Sequence, residues 1–153
     1  MDQTITPSAG ETFWVVGHQV TILPAGAGYS YADVSLQART PGPPPHRHAD
    51  CSELFHVLEG RVNFEIGEDR LQLGPGESVL VPRDVVHTFS AASESGSRLI
   101  SLHAPAGFDR WFRAMGVPAD EPNARELSVR PEIIDRITRD SIQYDMEIVD
   151  GKG

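Results

Sequence analysis

The chain has 153 residues, with 13 Lys and Arg against 22 Asp and Glu, for a formal net charge of −9. This length is a prior for one domain that buries a core of its own, and an acidic balance with no Lys/Arg cluster argues against nucleic acid and anionic membrane as partners. No stretch approaches the ~20 apolar residues of a spanning helix, no basic-then-apolar leader opens the chain, and the single cysteine, Cys51, excludes an internal disulfide framework, so a soluble, cytoplasmic protein is expected.

Residues 1–10 hold Thr4, Thr6, Pro7, Ser8 and Gly10 with little apolar content and read as a flexible amino-terminal arm; residues 11–153 are expected to form one domain. Thr12–Val16 and Gln19–Leu23 are β-branched and aromatic runs of strand length, separated by Gly17-His18 and closed by a turn at Pro24–Gly28. Tyr31–Gln37 alternates as a third strand. The loop Thr40-Pro41-Gly42-Pro43-Pro44-Pro45 is stiff, because each proline fixes φ near −65°, and it runs straight into His46.

A repeated unit of short strand, glycine turn and short strand then follows. Glu53–Leu58, Arg61–Ile66, Arg70–Leu73, Ser78–Val81, His87–Ser90 and Ser97–Leu102 are its strands, with turns at Gly60, Gly67 and Gly74-Pro75-Gly76. Short strands at regular spacing predict an all-β antiparallel sandwich or barrel rather than β-α units. After Pro105 the period changes. Phe108, Trp111, Phe112 and Met115 fall at i, i+3, i+4 and i+7, a helical stripe ended by Gly116 and Pro118 and expected to be the buried face of a helix on the barrel. A linker through Pro122 and Asn123 leads to a second helix, with Pro131 in its first turn and Ile133, Ile134 and Ile137 on one face, and Tyr144–Val149 is expected to close as a strand.

The chemistry is concentrated in four residues. His46 and His48 are two apart at a strand start, where period-2 geometry turns both to one face; Glu53 follows, and His87 begins a later strand after Pro82. Three imidazoles and a carboxylate suit one divalent first-row metal, Fe, Mn, Ni, Cu, Co or Zn.

These residues resemble a known family. Gly42-Pro43-Pro44-Pro45-His46-Arg47-His48, then Glu53 and Gly60, is similar to the first cupin motif; Gly76, Pro82 and His87 are similar to the second, with fifteen residues between Gly60 and Gly76. Asp84 stands where the second motif usually has Gly, and Ala91 where it often has Asn. The segment Ser101–Phe112 resembles the stretch after the barrel in single-domain quercetin-2,3-dioxygenase-like cupins, and the likeness extends over about residues 11–150. The resemblance implies a jelly-roll barrel ending near residue 104 with a short helical carboxyl-terminal extension, and His46, His48, Glu53 and His87 as metal ligands. It also implies a metal-dependent oxygenase of dioxygenase type, acting on a small aromatic or enolisable molecule, with Glu53 taking the substrate proton. Non-redox isomerases, cyclases and lyases and non-catalytic ligand-binding cupins share the same motifs. Cupins commonly pair sheets between subunits, so a homodimer is implied, with Phe13–Val16 as the pairing strand.

Other residues have narrower expectations. Phe55 and Val57 share the face of Glu53 and, with Phe64 and Phe89, are candidate walls of the substrate pocket. His56 lies at odd offset and points away. His103 ends the last barrel strand near the pocket mouth, His18 reads as turn chemistry, and Cys51 as a small loop residue between ligands.

Overall fold

Strand alternation in the sequence becomes two packed sheets. The computed structural model describes residues 7–23, 26 and 28–149. The expected arm therefore lies outside the described residues up to Thr6, with residues 7–10 exposed and without regular structure, and the Pro24–Gly28 turn is described only at Gly26 and Gly28.

The strands are β1 (Glu11–Val15), β2 (His18–Leu23), β3 (Ser30–Leu36), β4 (His46–Arg47), β5 (Ser52–Glu59), β6 (Val62–Ile66), β7 (Asp69–Leu73), β8 (Ser78–Val81), β9 (His87–Ala91) and β10 (Ser97–Ala104). After the barrel come α1 (Asp109–Met115), β11 (Val117–Pro118), α2 (Ala124–Leu127), α3 (Pro131–Asp140), a 3-10 turn (Ser141–Tyr144) and β12 (Glu147–Ile148). One sheet has the order β11-β1-β2-β3-β10-β5-β8 and the other β12-β4-β9-β6-β7, and every pairing is antiparallel. No helix among the described residues is long and apolar enough to cross a membrane.

Alternate residues of β2, β3, β5 and β10 are buried, as a two-sheet core requires. Phe55, Phe64, Leu36 and Leu99 are among its fully enclosed side chains, each worth about 1.5–3 kcal/mol of burial. Trp111 and Met115 of α1 close one side of this core, and Trp111 Nε1 donates to Ser141 Oγ at 2.8 Å, tying α1 to the 3-10 turn.

Three expectations are corrected here. The first hairpin turns on Val16 and Gly17, both with positive φ (48° and 84°), the geometry of a two-residue hairpin loop. His18 therefore opens β2, paired with Val15 and buried, and is not a turn residue. Second, the strand Phe13–Val16 is not an open edge: β11 pairs Phe13 with Pro118 and Trp14 with Val117, and Ala119 N–H donates to Thr12 O at 3.0 Å. Among the described residues, the edge strands are β11 and β8 in one sheet and β12 and β7 in the other. Third, the linker before α3 carries β11 and the one-turn α2, whereas the closing strand narrows to Glu147–Ile148.

Candidate metal centre

The Pro-rich loop is held from three sides before it reaches His46. Gly42 lies so close to β9 that a Cβ there would come within 1.6 Å of Phe89 O. Thr88 Oγ1 donates to Pro43 O at 2.6 Å, and His18 Nε2 donates to Pro41 O at 2.8 Å. The loop thus delivers His46 directly opposite His87 in the β4–β9 register. His87 follows a turn in which Asp84 takes φ 64°, the left-handed conformation that glycine supplies in the second motif and that Asp tolerates. Asp84 N–H also donates to His48 O at 2.8 Å, which couples the two motifs. Glu53 enters from β5, whose inward face then continues as Phe55 and Val57.

One ligand atom from each of His46, His48, Glu53 and His87 lies within 4.8 Å of every other, and all four residues are buried. The three rings are oriented alike. His46 Nδ1 faces Pro44 O at 2.9 Å, His48 Nδ1 faces Asp145 O at 2.6 Å, and His87 Nδ1 faces Val85 O at 2.9 Å. A carbonyl oxygen only accepts, so each Nδ1 carries the proton and, in a neutral ring, each Nε2 turns a lone pair inward. Backbone anchoring of this kind fixes the tautomer of metal-binding histidines.

Electrostatics at the centre call for a cation. The Nε2 atoms of His87 and His48 stand 3.0 and 3.3 Å from Glu53 Oε1, so lone pairs and a carboxylate oxygen converge in a water-poor site. Burial, with the neighbouring His87 and His48, pushes His46 down to about 3, so it is neutral. Burial opposes charge on His48 too, but Glu53 and Asp145 raise it overall. Burial likewise opposes charge on Glu53, yet His103, His48 and His87 hold its carboxyl well below the usual carboxylate range. His48 Nε2 has no hydrogen-bond partner. An anionic carboxylate and inward lone pairs fit one divalent metal, which displaces any proton held there.

Two residues at this centre exceed their sequence-based expectations. His103 is fully buried, with Nε2 3.0 Å from Glu53 Oε2, and Ser101 Oγ donates to the same oxygen at 2.6 Å. Their signal was the inward period of β10, in which Leu99 is followed by two polar residues, Ser101 and His103, the latter directly opposite Glu53. His18 is also more than expected: Nδ1 accepts from Gln37 N–H at 3.0 Å while Nε2 pins Pro41.

An apolar cavity of about 60 Å³ adjoins the centre, with His46, Glu53, Phe89, Phe108, Trp111 and Phe112 in its wall. Of the four expected pocket residues, Phe89 borders it. Phe55, Val57 and Phe64 lie deeper in the barrel core, where Phe55 packs on Phe64 and Phe89 at ring distances of 5.1 and 4.9 Å; sharing the face of Glu53 brings a side chain inside the barrel but not to its mouth. The α1 stripe does more than pack. Phe108 meets His48 edge-on and His103 at a tilt, both with centroids 4.5 Å apart. His56 points outward and contacts Ser78 Oγ at 2.6 Å. Cys51 is buried beside Asp145 and Glu53, and burial together with those carboxylates pushes its thiol up.

Residues 32–103 match the family model described as Cupin domain. Over 73 residues the chain is 30% identical to quercetin 2,3-dioxygenase of Bacillus subtilis (strain 168), a match covering 48% of this chain and 21% of that protein. The match thus spans about a fifth of that relative's length. Among solved structures, the fold is similar to an RmlC-like cupin from Shewanella frigidimarina NCIMB 400, with TM-score 0.60 and 21% identity over 72% of this chain and 96% of that one. KdgF from Halomonas sp. gives TM-score 0.57 and 24% identity over 61% and 84%. Pac13 of Streptomyces, described as a nucleoside dehydratase, gives 0.57 and 17% over 69% and 84%. At these identities the structural likenesses are likenesses of fold.

Proposed function

We propose that the protein, whose residues 32–103 match the cupin domain model, is a metal-dependent oxygenase acting on a small aromatic or enolisable organic molecule. The observation that carries this reading is the convergence of three backbone-anchored imidazoles and one carboxylate beside an apolar cavity. His46, His48, Glu53 and His87 would hold one divalent ion, Fe, Mn, Ni, Cu, Co or Zn. Bound there, the ion supplies Lewis acidity toward a substrate hydroxyl or enolate and, where redox-active, a route to O₂.

The chain's own residues do the rest. The Nδ1 hydrogen bonds hold the imidazoles in place without rearrangement. The proton released as the substrate's hydroxyl O–H bond breaks would pass to the Glu53 carboxylate. Phe89, Phe108, Trp111 and Phe112 exclude water from the reacting group. A cavity of about 60 Å³ is far below the ~300–1,000 Å³ usual for ligand pockets, which favours a small substrate over a multi-ring one. The likeness to a quercetin dioxygenase supports oxygen chemistry.

Oxygen uptake by the metal-loaded protein with a flavonol, a catechol and a 1,3-diketone tests the reading. Consumption with at least one of them, cut at least tenfold by Glu53→Gln, is expected, a barrier rise of about 1.4 kcal/mol or more. No consumption with any of them contradicts it. A non-redox lyase or isomerase is the second reading, since the same His46, His48, Glu53 and His87 set suits a redox-inert ion such as Zn. Anaerobic turnover with Zn would select it.

We also propose a homodimer, paired through the open edge of β8, where Leu80 is 59% exposed. A monomer mass by light scattering contradicts this.

A further inference from the structure

The carboxyl-terminal segment 145–149 is laid along the first ligand loop at every step. Val149 N–H donates to Pro45 O at 2.9 Å, Ile148 pairs with His46, and Glu147 pairs with Arg47 in the β12–β4 register. Arg47 holds the Glu147 carboxylate through two hydrogen bonds of 2.8 and 3.1 Å. Met146 is buried and borders the apolar cavity. Asp145 makes the densest contacts. Its carbonyl accepts from His48 Nδ1 at 2.6 Å, and its carboxylate accepts from Ala49 N–H at 2.8 Å and from Asp50 N–H at 3.1 Å. One residue therefore orients a ligand ring and fastens the loop that follows it, ninety-seven positions away in the chain. It also lies outside the matched stretch 32–103.

We infer that Asp145 is a positioning residue of the metal centre, and that segment 145–149 is a strap that sets how tightly the centre holds its ion. This rests on the metal reading above. Outer hydrogen-bond partners of metal ligands commonly account for 10–100-fold in affinity. Binding at the centre and closure of the strap are then one linked equilibrium, so each strengthens the other.

Two substitutions separate the side chain from the backbone. Asp145 sits at φ 60°, where Gly carries no penalty and Asn is tolerated. Asp145→Gly keeps the carbonyl that meets His48 and removes the carboxylate, while Asp145→Asn keeps an oxygen for the Ala49 and Asp50 amides. Zinc affinity, read by competition with a chromophoric chelator, should fall about tenfold or more in Asp145→Gly and stay within about threefold of wild type in Asp145→Asn. Both should keep the wild-type far-UV circular dichroism. Asp145→Gly binding zinc within twofold of wild type overturns the inference and leaves the metal reading standing; wild type with no zinc affinity overturns both. Hydrogen exchange on the wild type gives a test independent of variant folding. Zinc should slow the amides of Ala49, Asp50 and 146–149 while those of the β1–β2 hairpin stay unchanged, and equal exchange with and without zinc in the strap contradicts the inference.

Discussion

His103 Nε2 lies 3.0 Å from Glu53 Oε2, the oxygen that does not face His48 and His87. The carboxylate is thereby divided: Oε1 belongs to the candidate ligand set, and Oε2 accepts from Ser101 Oγ with His103 beside it. A buried carboxylate with one oxygen unheld would swing between rotamers. Ser101→Ala and His103→Leu should each weaken metal binding by about tenfold, read by chelator competition, with Ser101→Ala the milder change to the fold. Wild-type affinity in both would show that Glu53 needs no such support.

His18 has the opposite electrostatic character to His48. Burial lowers its pKa, the Pro41 carbonyl works against that, and Arg125 adds to the lowering. Geometry gives the reason: the neutral ring donates from Nε2 to Pro41 O and accepts at Nδ1 from Gln37 N–H, and a second proton would break the latter bond. The folded-state pKa is below the unfolded value of about 6.5, so the contribution of His18 is complete above pH 6.5. It is lost as pH falls below that, by at most about 1.4 kcal/mol per pH unit. Melting temperature should therefore drop more between pH 7.5 and 5.5 in the wild type than in His18→Gln. Parallel curves would remove His18 from the acid response.

Gly42 is the point where the Pro-rich loop crosses β9, and a Cβ placed 1.6 Å from Phe89 O cannot be absorbed by a side-chain rotation. Gly42→Ala should cost at least about 2 kcal/mol of stability, by analogy with overpacked cores. Because the loop leads into His46, metal affinity should fall with it. Chemical denaturation with an unchanged midpoint would contradict this close approach.

Most barrel strands were legible because their inward positions alternate, and the ligand set because two motifs placed it at fixed spacing: His46, His48, Glu53 and His87 meet within 4.8 Å. What could not be read depends on register and on contacts far apart in sequence. Ser101 and His103 sit on Glu53 only because β10 pairs with β5 so that His103 faces Glu53. Asp145 reaches His48 across the whole helical extension, and no local pattern marks it. His18 lies one residue beyond the turn that Gly17-His18 suggests, on the inward face of β2. The pairing that covers the edge of β1 has no local signature, because a two-residue strand around Pro118 carries almost no strand signal.

Metal content bears most directly on the central claim, that His46, His48, Glu53 and His87 form one metal centre. Wild type and His48→Ala, purified side by side without chelator, would be compared by elemental mass spectrometry alongside their circular dichroism. The account predicts close to one equivalent of a divalent first-row metal in the wild type and a loss of most of it in the folded variant. Equal metal content in the two proteins would contradict it.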